Sequence, residues 1–169
     1  WGWHQLHSDS AEQLVADAAI PRGALVLDIG AGTGAITEPL LRAGARVIAV
    51  EAHRGRAAQL RERFGDDIVV VQADAADLRL PRKPYYVVAN PPFGVSTPLL
   101  RRLLQPGSRL VGGRLMLQDQ VVRRWASGDA PGARRWSREF TLSAGRTIPR
   151  HSFRPRPRVD TRVLAIARR

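Results

Sequence analysis

The sequence contains no cysteine, so it can form neither a disulfide framework nor a thiolate metal site. Its four histidines are scattered, and we therefore predict no metal site. No stretch is long and apolar enough to span a membrane, and no signal peptide opens the sequence, so we expect a cytoplasmic protein. With 169 residues the chain can bury one full core, and we expect a single domain over residues 1–169.

Lysine is also nearly absent: Lys83 is the only one, and the other basic residues are all arginine. The net charge of +12 is unevenly distributed, because residues 1–100 carry 10 basic and 11 acidic side chains whereas residues 101–169 carry 17 and 4. Clustered guanidinium groups bind phosphate through paired hydrogen bonds and give a salt-sensitive affinity for nucleic acid. The distribution favours a polyanion-binding second half over a face that is merely solvated.

Apolar runs alternate with helical patterns through the first three quarters of the sequence. The runs are continuous rather than alternating, which is typical of a parallel sheet covered on both faces. The predicted strands are residues 24–29, 46–50, 68–71, 86–89 and 113–117, and the predicted helices are residues 9–19, 35–43, 53–64, 97–104 and 118–126.

The last part of the sequence has a different character. Residues 140–146 and 162–167 alternate apolar with polar or small side chains, which predicts two further strands, antiparallel to the rest. Between them, residues 149–158 contain three prolines and four arginines, and we expect an extended basic loop without regular structure. Residues 128–138 are also predicted to be a loop. The fold class is therefore α/β, with a mostly parallel seven-stranded sheet and helices on both faces.

A glycine-rich turn, Asp28-Ile29-Gly30-Ala31-Gly32-Thr33-Gly34, follows the first of the predicted strands. Such a turn lets the backbone approach a ligand closely at the carboxyl end of a sheet. Glu51 follows the next strand and can bind both hydroxyls of a ribose, and Asp74 follows the third, where it can accept from an adenine amine. Together they predict a site for a nucleoside-containing cofactor.

Other interpretations of these residues stay open. Gly30-x-Gly32-x-x-Ala35 also fits the dinucleotide fingerprint of a dehydrogenase, and a glycine turn can bind nothing at all. Taken singly, Glu51 could be a surface carboxylate and Asp74 a helix cap.

The tetrapeptide Asn90-Pro91-Pro92-Phe93 follows the fourth strand, 62 residues after Asp28. The two prolines restrict the backbone to a preset corner. The Asn90 side-chain oxygen and the Pro91 carbonyl could accept hydrogen bonds from an aromatic amine, stabilising positive charge as the nitrogen is alkylated. Phe93 could stack on a base that has left its helix or loop. A proline turn that only caps a core strand is the alternative.

These segments resemble the S-adenosylmethionine-dependent rRNA adenine N6-methyltransferases, which comprise the erythromycin-resistance enzymes of large-subunit rRNA and the dimethyladenosine transferases of small-subunit rRNA. The resemblance covers nearly the whole chain and rests on the glycine turn, Glu51, Ala73-Asp74, Asn90–Phe93 and Phe153-Arg154-Pro155-Arg156-Pro157-Arg158-Val159-Asp160-Thr161. The last segment discriminates best, and in the family its Phe can approach the target base, although Phe153 could equally plug the core.

The resemblance implies S-adenosylmethionine as the cofactor and rRNA as the partner. It implies cofactor contacts from Gln5, Asp28, Gly30, Gly32, Gly34, Glu51, Ala52, Asp74, Ala75 and Asn90, catalytic roles for Asn90, Pro91 and Phe93, and substrate contacts from Phe93, Phe153, Arg123, Arg124, Arg134, Arg135, Arg154 and Arg156. Residues 1–100 would then be the cofactor-binding half and residues 101–169 the RNA-contacting half.

The sequence departs from the family pattern at its two ends. Trp3-His4-Gln5-Leu6-His7 is a degraded form of the family's N-terminal cofactor motif. We also expect a catalytic core alone, without the small helical domain that usually follows it in the family. The tetrapeptide Asn-Pro-Pro-Phe resembles the erythromycin-resistance branch more closely, which implies a monomer that methylates naked or early-assembly 23S rRNA and blocks macrolides, lincosamides and streptogramin B. A small-subunit dimethyladenosine transferase, a DNA adenine methyltransferase and a catalytically dead RNA-binding assembly factor are the alternatives.

Overall fold

Strands and helices alternate from the beginning of the chain, as its pattern of apolar runs predicts. The computed structural model describes residues 3–169. The first half contains β1 (Gln5–Leu6), α1 (Ser8–Ala18), β2 (Leu25–Ile29), α2 (Thr37–Arg42), β3 (Arg46–Val50), α3 (Arg54–Phe64), β4 (Ile68–Val71), β5 (Tyr85–Ala89) and α4 (Ser96–Leu103). The second half contains β6 (Leu110–Gln118), α5 (Asp119–Ala126), α6 (Ala133–Trp136), β7 (Phe140–Ile148), β8 (Phe153–Arg154) and β9 (Thr161–Arg168).

Seven of the strands form one sheet, in the order β4-β3-β2-β5-β6-β9-β7. The first five are parallel to one another, and β9 is antiparallel to both of its neighbours. The prediction of a mostly parallel seven-stranded sheet is therefore confirmed. We call the side of the sheet on which strands β2 to β6 finish the carboxyl end, and the side on which they start the amino end. Because β9 runs the other way, Thr161 lies at the carboxyl end and Arg168 at the amino end.

The core has two layers, one on each face of the sheet. One layer contains Tyr85, Trp125 and Phe140, and the other contains Leu14 and Phe153, all of them almost fully buried. The central strands contribute apolar side chains to both layers, which is why they are continuous apolar runs.

Strand β6 fits between its neighbours only because it carries two glycines. A Cβ on Gly113 would lie 2.2 Å from the carbonyl oxygen of Val87 in β5. A Cβ on Gly112 would lie 2.9 Å from the carbonyl oxygen of Ile166 in β9. The strand therefore extends across residues 110–118, beyond the apolar stretch that predicts it, because the glycines admit close backbone packing on both sides.

The two segments predicted to be irregular contain short regular elements, and these predictions were wrong. Within residues 149–158, a 3-10 turn (Arg150–Ser152) leads into β8, where Phe153 pairs with Leu6 and Arg154 with Gln5. Within residues 128–138, α6 forms and buries Trp136. The reason is tertiary: β8 exists because β1 supplies its partner, and α6 because Trp136 stacks on Trp125 at a ring separation of 5.8 Å.

Among the described residues, no helix combines the length and the apolar character needed to cross a membrane.

Candidate active site

A cleft of about 360 Å³ opens at the carboxyl end of the sheet, between the ends of β2, β3, β4 and β5. The glycine turn, Glu51, Asp74 and the Asn90–Phe93 segment follow β2, β3, β4 and β5 in turn. They come together here because the carboxyl ends of parallel strands meet on one side of a sheet. The cleft is lined by Trp3, Gly30, Val50, Glu51, Ala52, Arg56, Ala73, Asp74, Ala75, Pro92, Gly94 and Val95.

A narrower recess lies beside this cleft and shares Trp3 and Gly30 with it. Its walls include Gln5, Asp28, Gly32 and Asn90. Nine of the ten predicted cofactor residues therefore line one of the two adjoining cavities. Gln5 is among them, although the sequence around it is degraded.

Gly34 is the exception, because it lines neither cavity in the described part of the chain. A Cβ at this position would lie 2.5 Å from the ring of Phe64 in α3. The third glycine of the turn therefore serves the packing of the turn on α3, and a cofactor contact for Gly34 stays a prediction.

The glycine turn packs directly against the Asn90–Pro92 corner. Gly30 has a φ of +76°, and a Cβ on it would lie 3.0 Å from the Pro91 Cα and 3.1 Å from the Asn90 carbonyl oxygen. Only a residue without a side chain allows this approach without strain. The cofactor turn and the proposed catalytic corner therefore form one continuous surface.

Glu51 is 3% exposed, and its carboxylate organises the floor of the cleft. One oxygen accepts from the Gly32 backbone N–H at 2.9 Å, and the other accepts from the His53 backbone N–H at 2.8 Å and from the Arg56 guanidinium at 2.9 Å. The Arg56 guanidinium also lies 4.9 Å from the centre of the Trp3 ring. The sequence assigned no role to either residue: Arg56 belongs to no pattern that would have singled it out, and Trp3 was noticed only as the first residue of the degraded N-terminal motif.

Asp28 is fully buried behind the glycine turn. One carboxylate oxygen accepts from the Thr37 hydroxyl at 2.6 Å, and the other has no hydrogen-bond partner within residues 3–169. Burial, reinforced by the nearby Glu51 charge, raises the pKa of Asp28 to about 7, although the Thr37 hydrogen bond opposes this rise. An unpartnered buried carboxylate oxygen beside a cavity is a position at which a hydrogen-bond donor or a cation of a ligand would be stabilised.

Asp74 combines the two roles that the sequence left open. Its side chain accepts from the Ala76 backbone N–H at 2.8 Å, as a cap does, and the residue also lines the cleft. Because a carboxylate has two oxygens, capping leaves one of them available to a ligand.

Asn90 is held by a residue near the beginning of the chain. Its side-chain nitrogen donates to the His4 carbonyl oxygen at 2.7 Å, which leaves the side-chain oxygen as the group that can accept from a substrate. The His4 ring in turn donates from Nδ1 to the Pro155 carbonyl oxygen at 2.7 Å and lies 5.5 Å from the partly exposed ring of Phe93. Sequence reasoning missed His4, and its only signal was its place next to Gln5.

Phe153 is fully buried between the sheet and α1, so its ring is not available to a base in this structure. Of the two roles that the sequence left open, the structure shows the core role, and a contact between Phe153 and the substrate stays a prediction. The reason is the pairing of β8 with β1, which turns the ring inward opposite Leu6.

The arginines predicted to bind substrate fall into two groups. Arg154 and Arg156 are exposed at the carboxyl end, on either side of the Pro155 that His4 contacts. The others lie on α5 and α6, and Arg123 is ion-paired with Asp119 one helical turn earlier at 2.6 Å.

Helix α5 starts where β6 finishes, and the chain then returns to the start of β7, so α6, with Arg134 and Arg135, lies at the amino end. Arg124 lies five residues, about 7.5 Å, along α5 from its start at the carboxyl end. The structure does not bring Arg134 and Arg135 to Asn90. Strand order and helix direction decide this, and the sequence shows neither.

A family model described as "Ribosomal RNA adenine dimethylase" matches residues 6–169. Among curated proteins, an "rRNA adenine N-6-methyltransferase" of Corynebacterium diphtheriae is 36% identical over 146 residues, covering 85% of this chain and 57% of that protein. A "Ribosomal RNA small subunit methyltransferase A" of Anaeromyxobacter dehalogenans is 34% identical over 191 residues, covering 97% of this chain and 65% of that protein. The chain thus spans about three fifths of the length of these relatives.

Solved structures give the same fold. The 23S rRNA methyltransferase ErmE superposes with a TM-score of 0.86 at 23% identity, over 95% of this chain and 68% of that one. A dimethyladenosine transferase from Plasmodium falciparum superposes with a TM-score of 0.83 at 25% identity, over 98% of this chain and 64% of that one. The architecture is that of S-adenosylmethionine-dependent methyltransferases, and the chain belongs to the ribosomal RNA adenine dimethylase family.

Proposed function

We propose that the protein transfers a methyl group from S-adenosylmethionine to N6 of an adenosine in 23S rRNA. The observation that carries this proposal is the contact between the Asn90–Pro92 corner and the glycine turn, at the mouth of a cleft of nucleoside size. Family membership supports the reaction class, because the matching model describes enzymes that methylate adenine in ribosomal RNA.

The residues of the two cavities fit S-adenosylmethionine. Glu51 would accept from the ribose hydroxyls and Asp74 from the adenine amine. Asp28 lines the recess and has one carboxylate oxygen without a partner within residues 3–169, so a cationic amino group would be stabilised there. When bound, this cofactor supplies an electrophilic methyl group on sulfur.

The chain's own contribution is to hold and polarise the target amine. The Asn90 side-chain oxygen and the Pro91 carbonyl accept from its N–H groups, so that positive charge developing on the nitrogen is stabilised. Phe93, whose ring is partly exposed, stacks on the extruded base. Alignment of the nitrogen with the methyl group supplies the remaining acceleration.

The large-subunit substrate is favoured by the tetrapeptide Asn-Pro-Pro-Phe and by the 36% identity to the Corynebacterium diphtheriae enzyme. The second candidate is methylation of small-subunit rRNA, because several relatives at 30–34% identity carry the name "Ribosomal RNA small subunit methyltransferase A". On the first assignment we further propose resistance to macrolides, lincosamides and streptogramin B. We also propose that the protein is a cytoplasmic monomer that acts on naked or early-assembly RNA. Its single catalytic domain would have a cofactor-binding half (residues 1–100) and an RNA-contacting half (residues 101–169).

The mechanism is tested with Asn90→Ala and the matched surface control Gln59→Ala, which alters an exposed residue of α3. Transfer of labelled methyl to a 23S rRNA fragment should fall by about 10²–10³ in Asn90→Ala, because one of two acceptors for the developing charge is removed. Binding of S-adenosylhomocysteine should weaken much less than methyl transfer, because Asn90 is one of ten predicted cofactor residues, and the control should match the wild type in both. Wild-type transfer by Asn90→Ala would refute the assigned mechanism.

The substrate is tested by primer extension on total rRNA from expressing cells. A stop in 23S rRNA, together with raised macrolide tolerance, is the expected result. A stop confined to small-subunit rRNA would establish the second candidate, and wild-type protein without transfer to either RNA would support a binding factor that has lost catalysis.

A further inference from the structure

Two grooves at the amino end of the sheet are lined by arginines that the catalytic site does not use. The first, of about 330 Å³, is lined by Arg101 and Arg135 together with apolar and small residues. The second, of about 440 Å³, is lined by Arg82 and Arg109. Gln105 lines both grooves, so they form one continuous surface, which we call the arginine groove.

The residues Arg82, Arg101, Arg109 and Arg135 are all exposed, and within residues 3–169 none of their guanidinium groups has a hydrogen-bond or ion-pair partner. Ion pairs of the described chain use other arginines: Arg42, Arg56, Arg63, Arg123, Arg146, Arg150, Arg162 and Arg168. No acidic residue lines either part of the arginine groove in the described structure. Uncompensated guanidinium groups that share a groove repel one another, and an anion relieves that repulsion.

The backbone beneath the arginine groove is fixed by a second row of arginines. Arg168 donates to the carbonyl oxygens of Leu110, at 2.8 Å, and of Ser108, and it is ion-paired with Glu139 at 2.9 Å. Arg102 donates to the carbonyl oxygen of Leu78. The segment between α4 and β6, which carries Arg109, is therefore anchored to β9.

The arginine groove is far from the catalytic corner. The Tyr85 N–H at the start of β5 donates to the Arg109 carbonyl oxygen, and five steps of about 3.3 Å along β5 place Asn90 roughly 17 Å from that point. Asn90 lies at the carboxyl end and Arg109 at the amino end, so one nucleotide cannot touch both.

We propose that the arginine groove binds the phosphate backbone of an RNA helix that flanks the target adenosine. The inference rests on the proposed function, because it concerns how the same RNA is held. Guanidinium forks match phosphate geometry and give affinity without sequence preference. The centre of a protein–protein interface is usually apolar. The exposed large hydrophobic residues of the described chain are Val69 and Val159, and neither lines the arginine groove. An acidic protein partner is therefore less well supported.

The test compares two RNAs that carry the same target loop. The short RNA has an A-form stem of about half a helical turn and reaches only the carboxyl end, whereas the long RNA has a stem of about two turns and reaches the arginine groove. The test variant is Arg101→Gln with Arg109→Gln. The matched control is Arg46→Gln with Arg61→Gln, which removes the same charge from exposed arginines that have no side-chain partner within residues 3–169 and lie outside both grooves.

For the test variant, the ratio of the KM of the long RNA to that of the short RNA should rise by about tenfold at physiological salt. The slope of log affinity for the long RNA against log salt should fall by about 2, one for each lost phosphate contact. The control should change neither the ratio nor the slope. Equal KM changes for both RNAs, or an unchanged salt slope, would overturn the proposal. The proposal would also be overturned if the test variant kept its RNA affinity but lost binding of a polyglutamate peptide.

The two proposals fail in different ways. If the wild-type protein binds both RNAs but methylates neither, the proposed function is wrong, and the salt slope of binding still decides the role of the arginine groove. If it methylates the short RNA and the test variant keeps the wild-type salt slope, only the role of the arginine groove is wrong.

Discussion

At the scale of single residues, ionisation of the buried Asp28 carboxyl destabilises the folded state. Burial raises its pKa from 3.8 to about 7, so the folded state holds a proton that the unfolded state releases. The stabilisation from the protonated carboxyl is complete below about pH 4 and is lost as the pH rises to about 7. Over that window the free energy of unfolding should fall by roughly 4 kcal/mol relative to Asp28→Asn.

Urea denaturation from pH 4 to pH 8 measures this difference directly. Asp66→Asn, at an exposed position, is the matched control and should run parallel to the wild type. Parallel curves for wild type and Asp28→Asn would show that Asp28 does not titrate in this range.

Gly30 and Gly23 form a natural pair for testing the contact between the glycine turn and the catalytic corner. Their φ values are +76° and +77°, but a Cβ on Gly23 meets no atom within 4 Å, whereas one on Gly30 meets Pro91 and Asn90. Both alanine variants should lose about 1–2 kcal/mol of stability from the left-handed backbone. Only Gly30→Ala should lower methyl transfer, by about tenfold or more, because it displaces the groups that hold the amine.

Radiolabel transfer and thermal unfolding of the two variants check this expectation. Equal activity in both would mean that the close approach of Gly30 to the corner has no part in positioning the substrate.

At the scale of elements, strand β6 depends on Gly113. A Cβ at this position would lie 2.2 Å from the Val87 oxygen, which leaves no room for alanine, and β5 cannot move because β2 pairs with its other side. Gly113→Ala should therefore lower the free energy of unfolding by about 3 kcal/mol or more. Gly94→Ala, where no atom lies within 4 Å, is the control and should be close to neutral. A neutral Gly113→Ala, measured by urea denaturation, would contradict the packing described for β6.

The sequence predicts the strands that are apolar runs well, but it does not predict short elements that lack such a run. Strands β3 and β4 have the predicted bounds, because each is a continuous apolar run between polar residues. Strands β1 and β8 have two residues each and α6 has four, so they carry no periodicity, and only their tertiary partners explain them. The cofactor residues could be predicted from their positions after successive strands, because the carboxyl ends of parallel strands converge. The locations of Arg134 and Arg135 could not be predicted, because they depend on the order of the strands in the folded sheet.

At the scale of the whole molecule, the excess of arginine is divided between the two ends of the sheet. Arg154 and Arg156 lie at the end that holds Asn90, so they should contact RNA of any length. Arg154→Gln with Arg156→Gln should raise the KM of a short hairpin and of a long RNA by the same factor, about tenfold at physiological salt. Steady-state methylation of both RNAs checks this, and a change confined to the long RNA would contradict the placement of the Arg154–Arg156 segment beside the target base.

The bond from Asn90 to the His4 carbonyl links the catalytic corner to two distant stretches of sequence, because His4 is itself fixed by Pro155 and flanked by the pairing of β1 with β8. Contacts so far apart in sequence form late in folding. We therefore expect the Asn90 corner to reach its final geometry only after residues 4–6 and 153–155 have come together.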